Sequence, residues 1–442
     1  ETDIYVCLLR TIIMMRWNLL TLGLLLTSMI YGQNGSGPET LQAHDPALQN
    51  HPSHFELSDF GLQGTGEASH TYVGTPHWYS AAPGPRSAIL NLEFGPLFPE
   101  EAKPAVERAA DIWSQSIETV IPVNILAIWD SLPPNILGQA GPYEVFHDFD
   151  GAQEANRQYP IALANQLAGE DLNPEAPDMV VKIAKDAEWY LGLDGQVPET
   201  LYDLVSVSLH EICHGLGFIG SANHNGNSGF LGFQGIPFIF DQFVEESDQT
   251  SVLDYVSGTV TLGNVLESDA LYWGGENGGD ALEFGRPRLY APTIWAPGAS
   301  FSHLRENSYP NGDVNSLMTP FINTAESIHT PGGISLGMMQ DMGWSLPPVL
   351  CSLLDVVTLT QTGCNPLTNT YTQVLQVTYE NAPETGNLMV NGVVFPITGS
   401  PQTVSLTNLT SDGVPVDVNV SFSENLDCSL TAPALFTAPE SC

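Results

Sequence analysis

Basic residues are scarce in this chain. Its 442 residues carry 11 Lys and Arg against 50 Asp and Glu, a formal charge of −39. The acids are not gathered into runs, so the imbalance comes from missing bases. A surface of this sign repels phosphate backbones and anionic bilayers, which excludes nucleic acid and membrane surfaces as expected partners. It suits a secreted protein in salty or calcium-containing surroundings, where counterions screen self-repulsion. Cysteine is scarce too, with six residues in all. Four of them, Cys351, Cys364, Cys428 and Cys442, lie in the last quarter. They suit two disulfides in an oxidising compartment and leave the pairing open. Cys213 stands apart and reads as a small buried residue. Beyond about residue 31 no apolar run is long enough to span a bilayer.

The N-terminal stretch has the layout of an export signal. Met15-Arg16 precedes an apolar run over 17–26, a basic region followed by a short hydrophobic one. Residues 1–32 therefore read as an over-long start plus a signal peptide, with Gln33 as the mature start. Residues 33–85, rich in Gly, Pro, Ser and His, read as a loop-rich leader or pro-segment. This leader contains no cysteine, so latency through a thiolate on a metal has no support.

Periodicity begins near Arg86. Residues 88–94 alternate like a strand, and 99–117 read as a helix with Pro99, Glu100 and Glu101 in its first turn. A second strand is expected over 120–129. A third, over 179–185, carries two lysines and reads as an edge strand. The run 201–215 reads as a helix. Residues 218–300 resemble an insertion, with a strand-like piece over 236–244, and 334–344 read as a last short helix. Pro347-Pro348 marks a boundary. Beyond it, short β-rich runs over 356–360, 371–379, 388–395, 403–406 and 414–422 suggest a small all-β sandwich, read as open to continuation past Cys442. The fold class is α+β: a domain over 86–346 with a twisted mixed sheet and a central helix, then a β module over 347–442.

The chemistry is named by His210-Glu211-Ile212-Cys213-His214. On a helix, residues four apart share a face, so His210 and His214 can close on one metal ion. Glu211 then sits beside the metal, where it can take a proton from water. A catalytic zinc needs a third protein ligand. The candidates are His303, His224, His329, and Asp241 or Glu245 if the third ligand is a carboxylate. Asp148-Phe149-Asp150-Gly151 and Glu276-Asn277-Gly278-Gly279-Asp280 read as turns, with Ca2+ as the alternative.

The motif continues to Gly217, and here the chain resembles the metzincin clan of zinc metalloproteases. Gly217 matches the clan's glycine, whereas Gly220 stands where the compact signature has its third histidine. The layout resembles the leishmanolysin-like branch, in which a long insertion precedes the third histidine and a methionine turn follows it. Phe301-Ser302-His303-Leu304 and then Ser316-Leu317-Met318-Thr319-Pro320 have that order. The resemblance spans about 86–346. It implies Zn2+ held by His210, His214 and His303, Glu211 as catalytic base, and Met318 as a hydrophobic floor. It also implies a secreted endopeptidase acting on protein or peptide substrates, with 179–185 as the rail on which an extended peptide docks. The alternative is a non-enzymatic secreted adhesin on a protease-like fold. Retention of Glu211 argues against that alternative, because binding zinc does not require this carboxylate.

Overall fold

The computed structural model describes residues 61–76, 79, 86–282, 285–347, 352–383, 386–423 and 425–442. The expected signal peptide, the first part of the leader and Cys351 lie outside the described residues. In chain order the main elements of the N-terminal domain are strands β1 (Gln63–Val73) and β2 (Leu90–Phe94), helix α1 (Lys103–Ser114), and strands β3 (Val123–Asp130) and β4 (Gly138–Pro142). Helix α2 (Ile161–Ala168), strand β5 (Met179–Ala184) and helix α3 (Leu204–Leu216) follow. After the insertion, which contains helices α4 (Val260–Leu266) and α5 (Glu276–Asp280), come strand β6 (Phe321–Ile328) and helix α6 (Gly333–Met342).

The central sheet has the order β2-β3-β5-β4. Its first three strands are parallel and β4 runs antiparallel to β5, with Ala140 opposite Val181. The α+β class expected from sequence is therefore observed. Helix α1 buries Ala105, Val106, Ala109, Ala110, Ile112 and Trp113, an i, i+3, i+4 stripe that faces the core. Its Trp113 indole donates to the Leu209 carbonyl at 2.9 Å, which ties α1 to α3. All thirteen residues of α3 are buried, as befits a helix packed on every side. Gly215 lets it approach the sheet: a Cβ there would lie 2.3 Å from Met179 Sδ. Asp203 caps the helix, accepting from Ser206 N at 2.9 Å and from His329 Nε2 at 2.8 Å.

Several expectations are corrected. The strand over 179–185 is interior, between β3 and β4, and β4 is the edge. Met179, Val180, Val181, Ile183 and Ala184 are all buried, the near-continuous apolar run of a strand covered on both faces. The leader segment is not wholly loop, since 63–73 form β1, which pairs in parallel with β6. Pro99 and its two glutamates precede α1, whose own N-terminal proline is Pro104. The strand-like piece over 236–244 is instead a single 3-10 turn at Phe240–Phe243 leading into a short strand, Val244–Glu246.

The C-terminal region comprises strands β7 (Ser352–Gln361), β8 (Thr370–Glu380), β9 (Asn387–Val390), β10 (Val393–Pro396), β11 (Gln402–Thr410), β12 (Pro415–Phe422) and β13 (Asn425–Thr437). They form two antiparallel sheets, β7-β8-β11 and β10-β9-β12-β13. The sheets share one core that includes Leu375, Val377, Leu388, Val404, Val420 and Phe422. The run expected over 388–395 is a hairpin, turned at Asn391-Gly392 with both φ angles positive, as a primed two-residue turn demands. Strand β13 escaped the sequence reading. Cys364 pairs with Cys442, and Cys428 is also disulfide-bonded.

Candidate metal centre

Three imidazoles from two distant stretches of chain converge. His210 and His214 come from α3 and His303 from the loop that precedes the Ser316–Met318 turn, and all three are fully buried. Each Nδ1 meets a backbone carbonyl: His210 with Leu317 O at 2.6 Å, His214 with Phe218 O at 2.7 Å, His303 with Ala299 O at 2.8 Å. A carbonyl can only accept, so each Nδ1 carries the proton and each Nε2 keeps its lone pair. The three Nε2 atoms lie 3.0, 3.2 and 3.2 Å apart. With no proton between them, these lone pairs repel unless a cation shares them. A tetrahedral zinc at ~2.0–2.1 Å from each nitrogen would space its ligands by roughly 3.3–3.4 Å, close to the triangle seen. Burial drives the protonation state the same way. Desolvation lowers His214 to about 4 and holds His210 and His303 well below the usual imidazole range. This group could hold a metal ion, and among the described residues it is the one set of three or more His, Cys, Asp or Glu side chains close enough to do so.

The surroundings explain how the chain builds this triangle. Gly217, with φ +125, ends α3. The turn brings Phe218 N onto Cys213 O at 3.0 Å and sets the Phe218 carbonyl against His214. Gly220 is a docking surface. A Cβ there would strike the Phe301 ring at 2.4 Å, and Gly220 N donates to Ser302 Oγ at 2.9 Å. The missing side chain is thus the space through which Phe301-Ser302-His303 arrives. Phe301 itself sits at φ +75, a strained conformation for an aromatic residue. The stretch Ser316–Met318 forms a 3-10 turn. Its Leu317 carbonyl orients His210, its Met318 carbonyl accepts from Leu304 N at 2.7 Å, and the Met318 side chain is fully buried.

Glu211 is fully buried and stands outside the three-nitrogen cluster. Desolvation pushes its carboxyl up to about 8, opposed by the nearby backbone at Leu62 and Ala140. The Leu62 amide donates to Oε1 at 3.2 Å, while Oε2 has no hydrogen-bond partner. A Cβ at Gly138 would lie 2.6 Å from Glu211 Cγ, so only glycine at that place on β4 leaves room for the carboxylate. Sequence reasoning missed Gly138, Ala140 and Leu62. The run Gly138-Gln139-Ala140-Gly141-Pro142 has poor strand propensity, and nothing in it signals a neighbour more than seventy positions away.

The competing ligands have other partners. His224 stacks on Trp295 with ring centroids 5.8 Å apart, and His329 is bound to the cap residue Asp203. Asp241 accepts from the Ser221 hydroxyl and from the amides of Ser221 and Phe238, and Glu245 pairs with Arg286. Cys213 is buried with a free thiol. The two stretches read as turns have partners of their own. The Asp148 carboxylate meets Asn156 N and His147 Nδ1, and Glu276–Asp280 is α5, whose Asn277 and Gly278 amides bind Asp341 of α6. The pattern Gly333-Ile334-Ser335-Leu336-Gly337 has the spacing of a nucleophile elbow. Ser335 is fully buried inside α6.

Against known families, a family model described as SPBPB7E8-like matches residues 130–274, about a third of the chain. The matched span holds His210, Glu211 and His214 and ends before His303. No curated protein and no solved structure matches the chain significantly.

Two outcomes follow. Zinc content after gel filtration should be near one per chain for the wild type and for His224→Ala, and should collapse for His303→Ala. The loss should exceed the roughly 10–100-fold that removing a ligand's outer partner costs. Full occupancy in His303→Ala would remove it from the site. In the metal-free chain the raised carboxyl makes ionised Glu211 a burden that is absent below about 4.5 and grows as pH rises toward about 8. Glu211→Gln should therefore raise Tm relative to wild type at pH 8, by at most a few kcal/mol of stability, and leave it unchanged near pH 4. A pH-independent difference would contradict this.

Proposed function

We propose that the chain is a secreted zinc endopeptidase with a metzincin-like catalytic domain of leishmanolysin-like layout, followed by a β-sandwich module. One observation carries the reading. Three neutral imidazole lone pairs converge while the adjacent buried carboxylate keeps one oxygen uncommitted. Three imidazoles suit zinc, and the ion, when bound, supplies Lewis acidity to a water and to a scissile carbonyl.

The remaining chemistry belongs to the chain. A cation among the imidazoles favours ionised Glu211, bringing its carboxyl down from the metal-free value. Glu211 takes one proton from the attacking water and delivers it to the leaving amine, so that one water is consumed for each acid and amine released. Strand β4 runs past this carboxylate at Gly138 and Ala140 and is the outermost strand of its sheet. As the outer strand it replaces the interior strand 179–184 as the proposed rail for an extended peptide. The Cys364–Cys442 disulfide and the apolar run over 17–26 support export. An adhesin on the same fold is the rival reading. It gives no reason to bury a carboxylate with an oxygen left unpaired, which costs stability in a protein that only binds.

Labelled casein measures the proposal. The zinc-loaded chain should hydrolyse it over long incubation, o-phenanthroline should stop the reaction and added zinc should restore it. Glu211→Ala should keep its zinc and lose about 10²–10⁴-fold in rate, the range expected for a general base. Folded, zinc-loaded protein whose residual cleavage is indifferent both to chelator and to Glu211→Ala would favour the adhesin.

A further inference from the structure

A cavity of about 240 Å³ opens beyond the C-terminal ends of the parallel strands β3 and β5. The connection from β3 to β4, residues 132–137, lines one side, and Ala184, Asp186, Ala187 and Tyr202 complete it. Crevices at this end of parallel strands are where open sheets take ligands. Leu137 and Ala184 are buried, so the floor is apolar. Pro133, Pro134, Asn135 and Asp186 are exposed and form the rim of an open trough. Its volume is below the roughly 300–1,000 Å³ of pockets for drug-sized ligands and suits a single side chain. Leu137 precedes Gly138, against which Glu211 is packed. One wall therefore leads to the carboxylate beside the metal centre. The lining is rich in acceptors and poor in donors. Pro133 and Pro134 have no N–H. The Ile136 amide is spent on Pro133 O at 3.1 Å, the Leu137 amide on Leu62 O at 2.9 Å and the Ala184 amide on Leu137 O at 2.9 Å. The Asp186 carboxylate accepts from the Ser131 hydroxyl at 3.3 Å, a long bond that leaves its charge available. Across 130–137 and 184–188 the acids Asp130, Asp186 and Glu188 face one base, Lys185.

An occupant that fits must bring positive charge and hydrogen-bond donors at one end and methylenes along its length. Resting on the metallopeptidase reading, we propose that this cavity is a docking subsite that takes one lysine or arginine side chain of the substrate polypeptide. The stem lies across the apolar floor of Leu132, Leu137, Ala184 and Ala187, and the charged head meets Asp186 at the rim. Tyr202 is held for this by Gly66 N, which donates to its hydroxyl at 2.8 Å. A carboxylate side chain meets Asp186 with like charge, and an aliphatic one leaves Asp186 without an ion pair. The whole chain works in the same sense, since a formal charge of −39 draws basic polypeptides toward it. The local contact then selects among them.

Binding and turnover test this separately in the full-length, zinc-loaded chain. The binding probe is a fluorescein-labelled pentalysine amide, read by anisotropy at ~0.15 M salt. The same peptide acetylated on every Nζ is its neutral counterpart, and a Glu211→Ala background keeps both from being consumed. The lysine form should bind about tenfold more tightly than the acetylated form, the weight of a partly exposed ion pair with its covered stem. Asp186→Asn and Ala187→Trp should each remove most of that preference. Glu188→Gln, which changes an exposed acid outside the cavity, should keep it. With Glu211 restored, acetylating the lysines of casein should raise KM about tenfold at unchanged kcat, and Asp186→Asn should erase the difference. A preference that survives both cavity variants, or that falls equally with Glu188→Gln, would overturn the subsite and leave the peptidase reading standing on casein cleavage. Cavity-dependent binding of pentalysine, with no cleavage of casein by the wild type, would overturn the peptidase reading and leave the cavity as a site for basic side chains.

Discussion

Everything in the site depends on three hydrogen bonds from imidazole N–H groups to backbone carbonyls. They fix which nitrogen of each ring carries its proton, and so they aim three lone pairs at one point. The carbonyls belong to three different structures: the turn after α3, the loop at Ala299 and the 3-10 turn Ser316–Met318. Each must be in place for the triangle to close. Phe218 is positioned by Gly217, Ala299 and His303 by the approach over Gly220, and Leu317 by the Ser316–Met318 turn. This gives a fold of two-thirds of the chain a local reason to be conformationally exact around α3.

The same region concentrates the unfavourable electrostatics. Three imidazoles and a carboxylate are buried together, with few compensating groups in a chain short of bases. Desolvation moves the histidines down and Glu211 up, so each is driven toward its neutral form. A cation reverses the balance for the carboxylate and uses the lone pairs that burial preserves. Three neutral imidazoles with their Nε2 lone pairs aimed at one point could hold a cation, and buried titratable groups driven this far from their ordinary ranges cluster at functional centres.

Much of this was legible in the sequence, and the remainder was hidden for identifiable reasons. The i, i+4 histidine pair on an apolar helix follows from local pattern, whereas the choice of His303 rests on the clan resemblance; the structure brings the three histidines together. The α+β order was legible from periodicity. The edge strand was misplaced because Lys182 and Lys185 suggested an edge, whereas the neighbouring Val180, Val181 and Ile183 are buried in an interior strand. The true edge, at 138–142, is built of glycine, alanine and proline, whose low strand propensity conceals it. The role of Gly220 is visible only in three dimensions, because its significance is the space it leaves for Phe301. Leu62 acts through its backbone amide, and a contact made by a backbone amide leaves no trace in residue type.

X-ray absorption at the zinc edge of the loaded chain tests the central claim most directly. The account predicts a first shell that includes three imidazole nitrogens at about 2.0–2.1 Å, with the outer scattering of intact rings and no sulfur. A shell with fewer than three imidazoles, or with a thiolate sulfur near ~2.3 Å, would contradict it.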